Sequence, residues 1–115
     1  MERHSELDHA GLVHRLRTAL LPALPYGPTL IPLDILVTVV QAANNGKRMS
    51  VKDLCEALPY SVTGVRYNIH QLIQDGWLSK ARYQEDRRMV HLLPTAKGKR
   101  ALSEVCEQLS DYLHQ

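Results

Sequence analysis

Cysteine is scarce in this chain: Cys55 and Cys106 are the only two among 115 residues. Both fall inside helical patterns, so no disulfide framework is expected, and both read as buried thiols in a reducing cytoplasm. Neither has the exposed, electropositive setting that a redox switch needs. Long apolar runs are also missing. The most apolar stretch, Ile35–Val40, is far too short to span a bilayer. Leu12–Leu24 is interrupted by His14, Arg15 and Arg17, which argues against a secretory leader. No membrane association is expected. Metal-site spacing is absent as well. His4, His9 and His14 lie five apart and so fall on different helix faces, and none of these or of His70, His91 and His114 pairs with a cysteine at ligand spacing. No glycine-rich phosphate loop, nucleophile motif or paired acid and base stands out. The chain therefore reads as neither an enzyme nor a cofactor or metal carrier.

What is present is a charge map. The formal net charge is only +2, but it is unevenly placed. Residues 47–100 carry 11 Lys/Arg against 5 Asp/Glu, while the remainder carries 3 against 7. A basic segment inside a nearly neutral chain suits phosphate contacts. The length suits a single domain over residues 1–115, with a hydrophobic content of 44% that supports a core.

Residues 6–21 repeat apolar positions at helical spacing (Leu7, Leu12, Val13, Leu16, Ala19, Leu20), with Ser5 as N-cap. Pro22, Pro25, Gly27 and Pro28 are expected to break this helix. A second helix is predicted from Pro32 to Asn44, apolar on most sides and so largely buried, closed by Asn45-Gly46. Lys47–Met49 reads as a short extended segment. Ser50 with Asp53 forms a capping box for a third helix, Val51–Leu58, whose Leu54, Cys55 and Leu58 face inward. Ser61 caps a fourth helix running to about Asp75. Its stripe is Val62, Val65, Ile69, Leu72 and Ile73, and its other face shows Thr63, Gly64, Arg66, Tyr67, Asn68, His70 and Gln71. A hairpin follows: strand Leu78–Tyr83, tip Gln84–Arg88, strand Met89–Leu93. Thr95 caps a last helix with the stripe Leu102, Val105, Cys106, Leu109, Tyr112 and Leu113.

Two constellations carry chemistry. The first is helix, tight turn, helix over Ser50–Asp75. A major groove admits one such helix, whose early turns touch base edges. Ser61, Thr63, Arg66, Tyr67 and Gln71 are its candidates: Arg66 suits guanine, and Gln71 suits adenine or a phosphate. Taken alone, the same face could be a merely solvated one. The second is the hairpin. Lys80 and Arg82 lie on its first strand, and Asp86, Arg87 and Arg88 at its tip. An arginine there suits a narrow minor groove, with Asp86 orienting it. Alone, it could be a charged turn that keeps a sheet edge soluble. Together the two read as a helix-turn-helix followed by a wing, with Lys47, Arg48, Lys80, Arg82 and Lys97 as phosphate contacts.

From about Met49 to Gly98 the sequence resembles the MarR family of bacterial transcription regulators. The matching motifs are Leu72-Ile-Gln-Asp-Gly76, Asp86-Arg87-Arg88 and Pro94-Thr95-Ala96-Lys97-Gly98, in the family's order and spacing. The sequence departs from the pattern at Pro94, where leucine is usual, and at Asn68, where an apolar residue is usual. Gly64 falls in the first turn of the recognition helix, where it costs helix stability or allows close approach to DNA. The C-terminal helical region is also shorter than the family's. The resemblance implies a mainly α, winged helix-turn-helix fold of about five helices with a small β-hairpin wing. It implies a homodimer held by residues 1–28 and 99–115, with residues 47–98 as the DNA-binding core and wing. It implies a transcriptional regulator, a repressor by preference, on double-stranded DNA, with Arg88 inserted in the minor groove and a possible small-molecule effector. The competing expectation is a winged helix used for protein–protein interaction without sequence-specific DNA binding. A redox or metal sensor on the same fold is a third.

Overall fold

The computed structural model describes residues 8–23, 26 and 29–113. Its elements are α1 (His9–Ala23), α2 (Ile31–Asn44), β1 (Met49–Ser50), α3 (Val51–Ala57), α4 (Val62–Gln74), β2 (Leu78–Tyr83), β3 (Asp86–Pro94) and α5 (Ala96–Leu113). They fall into two compact units, Met1–Gly27 with Ala101–Gln115, and Pro28–Arg100.

The larger unit is organised by α2. Pro32 sits in its first turn, where a missing N–H has no helical partner to lose. Ile35, Leu36 and Val39 are at most 1% exposed. They pack against α4 and β3, and Leu54 of α3, Val65, Ile69 and Leu72 of α4, and Leu78 and Leu92 of the sheet are buried with them. Each such side chain stabilises the fold by about 1.5–3 kcal/mol relative to exposure. The expectation of a helix apolar on most sides and largely buried is refined. Leu33, Val37 and Val40 are only half-buried, so α2 has one dry face and two damp flanks. Gly46 closes the helix at φ 70°, and Gly76 closes α4 at φ 84°, both in the left-handed region that side chains avoid.

The sheet has three antiparallel strands in the order β1-β3-β2. The segment expected to be merely extended thus adds a strand, with Met49 opposite Leu92 and Ser50 opposite His91. Ser50 ends β1 and caps α3 at once. Its hydroxyl accepts from Asp53 N at 2.9 Å, and its own N–H donates to the Asp53 carboxylate at 3.3 Å. This is the capping box read from the sequence, now seen in a residue 1% exposed.

A side-chain hydrogen bond ties the helix-turn-helix to α2. Tyr60, between α3 and α4, donates its hydroxyl to Asp34 in the first turn of α2. That bond, with burial and the nearby charge adding to it, raises the hydroxyl's pKa above its ordinary value of 10.0. The folded value exceeds the unfolded one, so the contribution is complete below the unfolded pKa and lost as pH rises through the folded one. Tyr60→Phe is expected to melt a few degrees below wild type at neutral pH, and the gap is expected to close in strong alkali. Equal melting at neutral pH would show that the tie contributes nothing.

In the smaller unit, α1 starts on Asp8, whose carboxylate accepts from Gly11 N at 3.1 Å. The cap expected at Ser5, together with Leu7, lies outside the described residues. The break expected at Pro22 does not occur, since α1 continues to Ala23 with Pro22 inside it. Proline there forfeits one hydrogen bond to the turn before it, and the helix runs one residue further. Pro25, Gly27 and Pro28 lie outside the described residues. Along the body of α5, Ala101 and Val105 are buried and Leu102 and Leu109 half-buried. The side chains of Tyr112 and Leu113 lie outside the description. Two cysteine expectations are corrected: Cys106 is exposed and Cys55 only half-buried. Cys106 lies at the edge of the α5 stripe, one position past Val105, where helical rotation carries it out of the covered sector.

Candidate nucleic-acid interface

α3, the turn through Tyr60 and α4 form the helix-turn-helix. Ser61 caps α4 by accepting from Gly64 N at 3.0 Å. Val65, Ile69 and Leu72 anchor the inner face. Thr63, Arg66, Tyr67 and His70 are exposed on the outer one. Gln71 is half-buried, at the margin of that face. Asn68, counted among the polar outer residues, turns its amide back to Gly64 O at 2.8 Å and serves the helix itself. Val62, counted with the buried stripe, is 53% exposed. The stripe's spacing is right, but its burial begins only at Val65.

The wing differs in detail from its expected shape. The tip expected over Gln84–Arg88 is narrower: Asp86, Arg87 and Arg88 are the first residues of β3, and only Gln84 and Glu85 turn. Pairing is irregular between Ala81 and Tyr83, so the end of the wing departs from a regular ladder. Asp86, expected to orient an arginine at the tip, lies beside Arg88. Its carboxylate accepts from Arg88 N at 3.1 Å and lies 3.7 Å from Arg88 Nε.

Three of the five cations expected on phosphates are engaged by the protein. Arg48 lies over the Tyr83 ring at 3.5 Å and pairs with Glu85 at 3.5 Å. Arg82 donates to Arg87 O at 2.7 Å. Lys97 donates to Asp75 O at 2.7 Å and sits over the Trp77 ring. Arg48 and Arg82 thereby brace the wing, and Lys97 satisfies a carbonyl at the end of α4. Tyr83 also meets His91 edge-on, ring centres 5.0 Å apart. Bonding to its own backbone, followed by the Arg48 side chain, lowers the Glu85 pKa. The brace is therefore strongest with Glu85 ionised and weakens as pH falls through that lowered value.

Between α4 and the wing lies an open cleft of about 370 Å³. Lys52 from α3, Arg66 and His70 from α4, Lys80 from β2 and Arg88 from β3 converge on it over an apolar floor that includes Ile69 and Ile73. None of its lining residues is acidic. Four cations, of which only Arg88 has a carboxylate beside it, that of Asp86 outside the lining, make a local positive field that counterions or phosphates must neutralise. The structure thus brings together Arg66, Lys80 and Arg88 of the expected site. It leaves Arg82 and Arg87 outside the cleft lining and Ser61, Thr63 and Tyr67 around the free end and outer face of α4. Lys52 was missed. It stands on α3, and only the packing of α3 beside the wing brings it to the cleft.

A helix-turn-helix followed by a strand-turn-strand wing, on a three-stranded antiparallel sheet, is a winged helix. The pattern of the winged helix DNA-binding domain family matches residues 33–98, more than half the chain, and the protein belongs to that family. Solved structures share the fold. The chain is similar to the transcriptional regulator Tm0710 from Thermotoga maritima, with 22% identity and a TM-score of 0.69, covering 91% of this chain and 72% of that one. It is similar to a mutant MarR from E. coli complexed with operator DNA, with 19% identity and a TM-score of 0.66, covering 96% and 76%. It is also similar to the adhesin competence repressor of Streptococcus pyogenes, with 24% identity and a TM-score of 0.59, covering 92% and 75%. The MarR resemblance thus holds at the level of the fold. No curated protein is close enough in sequence to count as a match. Among the described residues, no helix is long and apolar enough to cross a membrane, and no cluster of metal-ligating side chains occurs.

Proposed function

We propose that the protein is a transcriptional regulator, acting as a repressor, that binds a pseudo-palindromic operator as a homodimer. α4 enters the major groove, and the wing reaches the adjacent minor groove through Arg87 and Arg88. Residues 1–28 and 99–115 hold the two copies together, with residues 47–98 as the reader. A two-fold dimer places its reading helices about 34 Å apart on one face of the duplex.

The observation that carries this reading is the acid-free cleft. A helix in the major groove and a wing in the next minor groove must straddle the sugar-phosphate strand that separates them. The gap between α4 and the wing is where that strand passes, and Lys52, Arg66, Lys80 and Arg88 line it. The resemblance to a regulator in complex with operator DNA supports the same reading. Phosphates supply most of the affinity; the exposed face of α4 supplies sequence choice.

The test is selection of bound sequences from random duplex DNA, followed by a salt titration on the winner. The expected result is an inverted repeat with half-sites about ten base pairs apart. Log affinity is expected to fall with log salt at about −0.9 per phosphate neutralised. Salt-sensitive binding with no selected motif would replace this reading with a nonspecific DNA-binding role. No binding at low salt would favour a protein-interaction module.

A further inference from the structure

Val62 is the first residue of α4 and is 53% exposed, whereas Val65, Ile69 and Leu72 of the same helix are at most 5% exposed. Isolated exposed apolar residues occur elsewhere in the chain, and exposure alone assigns nothing. What distinguishes Val62 is its place. It stands beside Ser61 and Thr63, at the end of the reading helix that approaches base edges first. Its side chain has no donor or acceptor, so it cannot read a hydrogen-bonding edge. It is also too short to reach a phosphate as Arg66, one turn further on, can. In the major groove only one feature suits such a group: the C5 methyl of thymine, the single apolar element of the base-pair code.

We infer that Val62 is a specificity-determining residue that packs against a thymine methyl in each half-site. This rests on the proposed placement of α4 in the major groove and adds one base to the operator's content. Burying one methyl-sized group contributes about a fourfold change in affinity. Cytosine at that position lacks the methyl and is disfavoured on the same ground.

The experiment uses the selected operator and replaces each thymine in turn by deoxyuridine, which lacks only the C5 methyl. Affinity is measured for the wild type and for Val62→Ala, whose folding is checked by its melting temperature. The expected result is one thymine per half-site at which deoxyuridine weakens wild-type binding about fourfold. Val62→Ala, which removes the contact from both half-sites, is expected to bind the thymine operator about 15-fold more weakly and to be indifferent to deoxyuridine at that position. Deoxyuridine effects that are absent throughout, or that persist unchanged in Val62→Ala, would overturn the assignment while leaving the regulator reading intact. A wild-type chain that selects no sequence would overturn both.

Discussion

Gly98→Ala is expected to lower the melting temperature by roughly 10 °C, although helix propensity argues the opposite. Gly98 lies inside α5, where alanine ordinarily stabilises by about 1 kcal/mol. A Cβ at this position would stand 2.5 Å from Trp77 O and 3.1 Å from Leu36 Cδ1. The first contact is closer than real Cβ atoms come to an oxygen, and neither neighbour can yield cheaply. The Trp77 carbonyl accepts from Thr95 N at 3.2 Å and is also within reach of the Thr95 hydroxyl. Leu36 is fully buried at the centre of α2. Relief requires the start of α5 to lift off Trp77, which breaks these bonds and opens the core. Overpacking of this kind costs about 3 kcal/mol, and the propensity gain offsets about a third of it. Since Trp77 is the chain's only tryptophan and is 7% exposed, its fluorescence reports the change directly. A Gly98→Ala protein that melts at or above the wild-type temperature would show that α5 does not start against Trp77 as described.

That contact also marks the boundary between what the sequence disclosed and what it could not. Local signals were legible. The capping box at Ser50 and Asp53, the Ser61 cap and the α4 stripe are short-range patterns whose physics lies within one turn of chain. The pairing of Asp86 with Arg88 is likewise local. The failures came where the outcome depends on partners distant in sequence. Arg48 and Glu85 are far apart along the chain, and nothing in either neighbourhood shows that Arg48 will stack on Tyr83 instead of facing a phosphate. Lys52 and Lys80 converge on one cleft because β1 leads straight into α3 beside β3, which a linear reading does not reveal. Val62 fits its stripe by period, yet whether a stripe is covered at its end depends on neighbours outside the helix. The reading motif was therefore visible, but its electrostatic partition was not: some cations brace the wing, and others are left to act on a ligand.

That partition sharpens the largest functional effect. Arg88 is 95% exposed on its side chain and, among the described residues, contacts only the carboxylate of Asp86. An exposed pair of this kind contributes about 0–1 kcal/mol to stability, so Arg88→Ala is expected to fold and melt like wild type. In the proposed complex with DNA the same side chain enters a strongly negative groove, where an arginine contact contributes about 1–3 kcal/mol. Two copies act in the proposed dimer, so Arg88→Ala is expected to weaken operator binding by about 30-fold to about 20,000-fold and to flatten the salt dependence. Arg87→Ala provides the comparison: Arg87 gives its carbonyl to Arg82, a bond that survives loss of its side chain. A smaller loss at Arg87 than at Arg88 is expected if orientation by Asp86 matters. Asp86→Ala separates orientation from charge. Removing a carboxylate near DNA strengthens nonspecific attraction, yet freeing Arg88 costs side-chain entropy on binding. Asp86→Ala is therefore expected to bind random DNA more tightly and the operator less tightly. Unchanged operator affinity in Arg88→Ala, with the dimer intact, would remove the wing from the DNA interface and leave the reading helix to account for recognition alone.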